Sequence, residues 1–151
     1  MNSLPGLKNV CVFLGCILVL FTMNLYAAEA ASVKKDAAQV SVVFQVSDDD
    51  AKKWNLTLNN VKNLQQELGA GNVVIEVVAY GPGVNMLRFE SPVSDRVDET
   101  LKTGVKIVAC ENTMKSLKLS KGDMMSTIGY VPAGIVEIIK KEKESYAYIR
   151  P

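Results

Sequence analysis

Five stretches dense in β-branched and apolar residues alternate with segments whose apolar residues recur every three or four positions, and this alternation restricts the fold more than any other feature of the chain. The strand-like stretches are 40–46 (VSVVFQV), 72–80 (NVVIEVVAY), 105–110 (VKIVAC), 128–131 and 146–149. Their near-continuous apolar character is that of strands buried on both faces rather than half-exposed ones. Between the first two, Trp54, Leu58, Val61, Leu64 and Leu68 form one helical stripe. Ser47 followed by Asp50 predicts the start of that helix, and Gly69 and Gly71 predict its end. Gly81-Pro82-Gly83 breaks the second strand, and a short helical turn is expected over 84–89. Ser94 is expected to cap the next helix, with Val97 and Leu101 inward and Gly104 closing it. A short helix is expected over 112–119. Pro132 should begin a last helix carrying Ile135, Val136, Ile138 and Ile139. Strand–helix alternation of this kind implies an α/β fold, a mostly parallel sheet with helices on both faces.

The first thirty residues read differently. Lys8 precedes an almost wholly apolar run, 10–26, interrupted only by Thr22 and Asn24, and Ala28-Glu29-Ala30 supplies small residues at the positions a signal peptidase requires. The expectation is a signal peptide over 1–30, a polar lead-in over 31–39, and one α/β domain over 40–151. Export, into a periplasm in a bacterial setting, is the expected localisation. The competing reading is a membrane anchor through 10–26, although that run is short for a span of roughly 20 apolar residues. Cleavage after Ala30 would remove Cys11 and Cys16 and leave Cys110 as the one cysteine of the mature protein.

Composition removes whole classes of function. There is no histidine, so no Ser-His-Asp or Cys-His pair and no histidine-ligated metal can form. Lys and Arg number 17 against 16 Asp and Glu, with no basic stripe, so nucleic acid is not an expected partner. A single mature cysteine excludes an internal disulfide and a Cys-x-x-Cys redox pair. No cofactor or metal is implied. Asp48, Asp49 and Asp50 could hold a divalent cation, but as a run at a helix start they suit capping better. Asn55-Leu56-Thr57 matches a glycosylation sequon but falls inside a predicted helix.

Ligands of open parallel sheets bind beyond the carboxyl ends of the strands. Those ends carry Ser47–Asp50, Tyr80-Gly81-Pro82-Gly83, Cys110-Glu111-Asn112-Thr113 and Tyr130-Val131-Pro132-Ala133-Gly134. Candidate ligand-binding residues are therefore Tyr80, Gly81, Gly83, Asn112, Thr113, Tyr130, Pro132 and Gly134, with Cys110 as the candidate catalytic residue. Cys110 sits where a strand gives way to a helix, and amides there would lower its pKa, with Lys115 assisting and Glu111 opposing. The bland alternative is a small buried core thiol. Gly81-Pro82-Gly83 is not a dinucleotide fingerprint, because Met86 stands where the third glycine is needed. A tight turn with close backbone approach is its simpler role.

The segments 79–84 (AYGPGV), 109–115 (ACENTMK), 130–138 (YVPAGIVEI) and 146–151 (YAYIRP) together resemble the DsrE/DsrF-like family, and its exported branch most closely. The resemblance implies a three-layer α/β/α sandwich with a five-stranded sheet and homo-oligomers, commonly trimers or hexamers. It also implies sulfur handling through a persulfide on Cys110, with a thiol-bearing donor or acceptor as partner. The alternative is a small-ligand-binding or structural homo-oligomer without catalytic chemistry. A membrane would be met only through 10–26, if that segment is uncleaved.

Overall fold

The computed structural model describes residues 39–151; the signal-peptide expectation and all but the last residue of the lead-in lie outside the described residues. Five strands form one sheet: β1 Val40–Val46, β2 Val73–Ala79, β3 Lys106–Cys110, β4 Gly129–Val131 and β5 Ala147–Ile149. Their order is β4-β3-β2-β1-β5 and every pairing is parallel. The helices are α1 Ala51–Leu68, α2 Ser94–Lys102, α3 Glu111–Ser116 and α4 Gly134–Lys143, with a 3-10 segment over Gly81–Leu87. Five parallel strands with helices on both faces are the expected α/β architecture.

The strand order explains how the layers divide. β1 to β4 step one way across the sheet, and right-handed crossovers then place α1, α2 and α3 on one face. The step from β4 back to β5 reverses direction and puts α4 alone on the other. Packing follows the two-residue period of the strands. Val42, Phe44 and Val46 of β1, with Ile75 and Val77 of β2 and Ile107 of β3, meet Trp54, Leu58, Val61, Val97 and Met114. Val43, Val78, Val108 and Val131 meet Ile138 of α4 in a smaller cluster. Glu76 lies on that second face, 2% exposed. Lys106 Nζ at 3.1 Å and Lys141 Nζ at 3.7 Å compensate its charge.

Several boundary expectations are corrected. The N-cap of α1 is Asp50, whose carboxylate accepts the Lys52 N–H at 2.8 Å. Ser47 is too far upstream to cap and instead accepts from Gln45 Nε2. Ser94 is the first helical residue of α2; Val93 holds the cap position without a side-chain bond, because the chain enters through a turn in which Ser94 N–H donates to Ser91 O. Pro132 lies before α4, which starts at Gly134 after an extended Ala133. Leu68 is exposed at the end of its stripe. Of the large apolar side chains on α4 only Ile138 is buried, since one helix over one sheet buries a single stripe; Ile135, Val136 and Ile139 face outward.

Candidate functional site at the carboxyl edge

Parallel strands deliver five chain segments to one edge, and two cross-links hold that edge together. The Tyr80 N–H donates to Val46 O at 3.0 Å, and the Asn112 N–H to Pro132 O at 3.1 Å. Cys110 ends β3 as the N-cap of α3, and its sulfur accepts the Thr113 N–H at 3.4 Å. The Thr113 hydroxyl accepts the Gly81 N–H at 3.0 Å, which leaves its own proton for the sulfur. Cys110, Thr113 and Gly81 thus form a chain running from the β2 turn to the thiol.

Cys110 is 5% exposed, so its sulfur does not face an open cleft as the edge position predicted. It is buried, as the bland alternative expects, but belongs to neither apolar cluster. Burial pushes its pKa upward and is the largest single influence. Hydrogen bonds from the Thr113 side chain and from the Gly134, Thr113 and Asn112 N–H groups together outweigh that, and hold the thiol below the usual range. The Asn112 contribution is the weakest, consistent with its bond to Pro132 O.

The edge glycines have packing reasons. A Cβ on Gly83 would lie 2.4 Å from Val46 O, and one on Gly134 would lie 2.9 Å from Tyr80 Cβ. Gly83 is therefore a site of close backbone approach. Gly134 is the point where α4 meets both Tyr80 and the sulfur. Gly81 takes a φ of 54°, in the left-handed region that favours glycine.

The structure brings Cys110, Gly81, Thr113, Gly134 and Tyr80 together and places Asn112 and Pro132, both exposed, at the rim. Tyr130 looks to the other face of the sheet, where Lys121 sits 4.4 Å above its ring. Glu111 pairs with Lys121 at 3.6 Å, and Lys115 is not among the groups that lower the Cys110 pKa. The three aspartates separate: Asp50 caps α1, Asp48 pairs with Lys53 at 3.1 Å, and Asp49 accepts from Asn85 at 3.0 Å. The sequon residue Thr57 is buried inside α1. A groove of about 310 Å³ between α1 and β5, lined by Phe44, Leu64, Leu68 and Ile149, lies on the face opposite Cys110.

Sequence reasoning missed a polar cluster beside Tyr80. Gln45, 9% exposed, accepts the Tyr148 O–H at 2.5 Å. Arg150 Nη2 lies 3.4 Å from Asp48 Oδ2. These residues lie about one hundred positions apart in the chain, and only the β1–β5 pairing joins them.

Residues 21–151 match the sequence pattern of the DsrE/DsrF-like family. The chain belongs to that family. A Methanobacterium thermoautotrophicum protein of unknown function, MTH1491, is 38% identical over 74% of this chain and 99% of its own, with a TM-score of 0.71. A conserved Bacteroides thetaiotaomicron protein of unknown function, BT1422, shares the fold at 16% identity and a TM-score of 0.63, covering 77% of this chain and 98% of its own. The ychN protein of E. coli does so at 11% identity and 0.58, covering 75% and 99%. A comparison with curated proteins gives no match. The DsrE/DsrF-like family is associated with sulfur relay in general.

Proposed function

We propose that this DsrE/DsrF-like protein is an exported sulfur carrier that holds a sulfane sulfur as a persulfide on Cys110. The observation that carries the reading is a buried sulfur at a helix N-cap that accepts the Thr113 N–H at 3.4 Å, with the Thr113 hydroxyl and Gly134 backbone further lowering the thiol's pKa. Donors aimed at a sulfur stabilise the anion, and the thiolate is the nucleophile. In loading, the Cys110 thiolate attacks the outer sulfur of a donor persulfide, R–S–SH. A bond forms between Sγ and that sulfur, the donor S–S bond breaks, and its electron pair leaves as RS⁻. The product is Cys110–S–SH, and no outside oxidant or reductant is needed. Unloading is the same exchange with an acceptor thiolate attacking the outer sulfur, so one cysteine suffices. The Gly81–Thr113 hydrogen bond positions the hydroxyl that faces the sulfur.

Intact-mass measurement of the exported protein, before and after incubation with polysulfide, tests this reading. The expected mature chain begins at Ala31 and gains the mass of one or more sulfur atoms, reversibly on reduction. Cys110→Ser should gain none. A wild-type mass unchanged by polysulfide, or an equal gain in the Ser variant, would overturn the carrier role. A chain retaining residues 1–30 would overturn the cleavage.

A further inference from the structure

Two apolar features of the domain have no partner within it. The first is a ridge on α4. Ile135 and Ile139 stand four residues apart and exposed, with Val136, also exposed, beside them. Rows at four-residue spacing are the ridges that helices pack into grooves. Lys143 continues the same row, whereas Glu142 follows Ile138 on the row turned toward the sheet. The other lysines of α4 are engaged: Lys140 with Glu137 at 3.7 Å, and Lys141 with Glu144 at 2.7 Å and Glu76 at 3.7 Å. The second feature is the groove of about 310 Å³ between α1 and β5, with Phe44, Leu64, Leu68 and Ile149 along it. The one charged residue in its lining is Glu67. Among the described residues, neither Lys143 nor Glu67 is in an ion pair.

We propose that the α4 ridge of one copy of this chain seats in the α1–β5 groove of the next. Ridge and groove lie on opposite faces of the sheet, so they cannot meet within one molecule. A second copy fills both: the isoleucines enter an apolar trough, and the cation that ends the ridge finds the carboxylate on the rim of the groove. A ridge packed on its own copy would leave the groove unfilled and set Lys143 near Lys143. Because the two surfaces look away from each other, two rigid copies cannot exchange both contacts at once. The contact is therefore heterologous, and it closes into a ring or runs on as a filament.

Light scattering on the exported protein at micromolar concentration tests this. The ridge variant is Ile135→Glu with Ile139→Glu, and the groove variant is Asn63→Arg with Leu68→Arg. All four positions are exposed, and circular dichroism checks each fold. Wild type should be larger than a dimer. Each variant alone should be a monomer, having lost one side of the contact. Mixed one to one, the variants should form dimers of twice the monomer mass and nothing larger, since the mixture keeps one intact ridge for one intact groove. If Leu68→Arg prevents folding, Asn63→Arg alone takes its place. A mixture that stays monomeric, a groove variant that assembles as wild type does, or a wild type that stops at a dimer would each overturn the ridge-in-groove contact. A monomeric wild type would overturn it too and leave the groove to a different occupant.

Discussion

A thiol that is nearly inaccessible yet hydrogen-bonded by several donors has two measurable consequences at the scale of single residues. Its native pKa lies below that of the free thiol, so the sign of its effect on stability is determined. Above the unfolded value of about 8.5 the native thiolate contributes its full stabilisation. That contribution declines as pH falls toward the lowered native pKa, and below it is gone. Wild type should therefore gain stability relative to Cys110→Ser as pH rises from the native pKa toward about 8.5, as read by urea midpoints across pH. Equal slopes in the two proteins would remove the donors' influence on the sulfur. Gly134→Ala is the neighbouring test. A Cβ there lies 2.9 Å from Tyr80 Cβ, and backbone must shift to admit it. The expected cost is about 1–3 kcal/mol by chemical denaturation, together with a higher alkylation midpoint at Cys110 as the Gly134 N–H moves off the sulfur. The position of Cys110 at the end of a strand and the start of a helix is readable from the sequence, because both periodicities stop there. Its donors are not: the Gly134 N–H comes from 24 residues downstream, and only the β3–β4 pairing brings it near.

Among the elements, the strands were the most legible, because runs such as Val40–Val46 and Val73–Ala79 carry almost no polar interruption and are buried on both faces. Helix starts were less so. Ser47 and Asp50 both belong to the residue types that cap helices, and side-chain chemistry alone does not choose between them; the distance the chain must travel from the end of β1 does. Asp50→Ala should cost about 1 kcal/mol in the stability of the domain, and Ser47→Ala markedly less, as compared by thermal melts. Equal losses would show that α1 frays back to Ser47. The outward face of α4 is hard to read for a related reason. Spacing places Ile135, Val136, Ile138 and Ile139 on one helix, but only Ile138 packs between α4 and the sheet, beside Val131. The periodicity was correct, yet a helix over 134–143 offers the sheet one stripe, and where that stripe falls depends on the angle at which the chain leaves Gly134. Polar residues that converge from β1, β2 and β5 beside the site carry no local signature, so Gln45 and Tyr148 could be found only from register.

At the scale of the whole molecule, the two faces of the sheet are unequally covered. Three helices protect one face and α4 alone the other, where Ile135 is 51% exposed and Ile139 46%. Apolar side chains grouped on one short helix mark an association surface, and a second copy of the chain is the proposed partner. Wild type should scatter light as an oligomer at micromolar concentration, and Ile135→Glu with Ile139→Glu should be monomeric with its fold intact by circular dichroism. A monomeric wild type would dispose of the proposal. The same unequal architecture sets an order of events during synthesis. β1 is among the first parts of the domain to leave the ribosome, yet one of its two edges stays open until β5 emerges some hundred residues later, when Val42 can pair with Ala147. Closing so long a loop is the step with the largest entropic cost in the sheet, which makes β5 docking the late event in folding. Cys110 and Thr113, by contrast, are close neighbours in sequence and can meet as soon as α3 forms. A nascent chain thus possesses its candidate nucleophile and that sulfur's nearest donor before the sheet around them is closed.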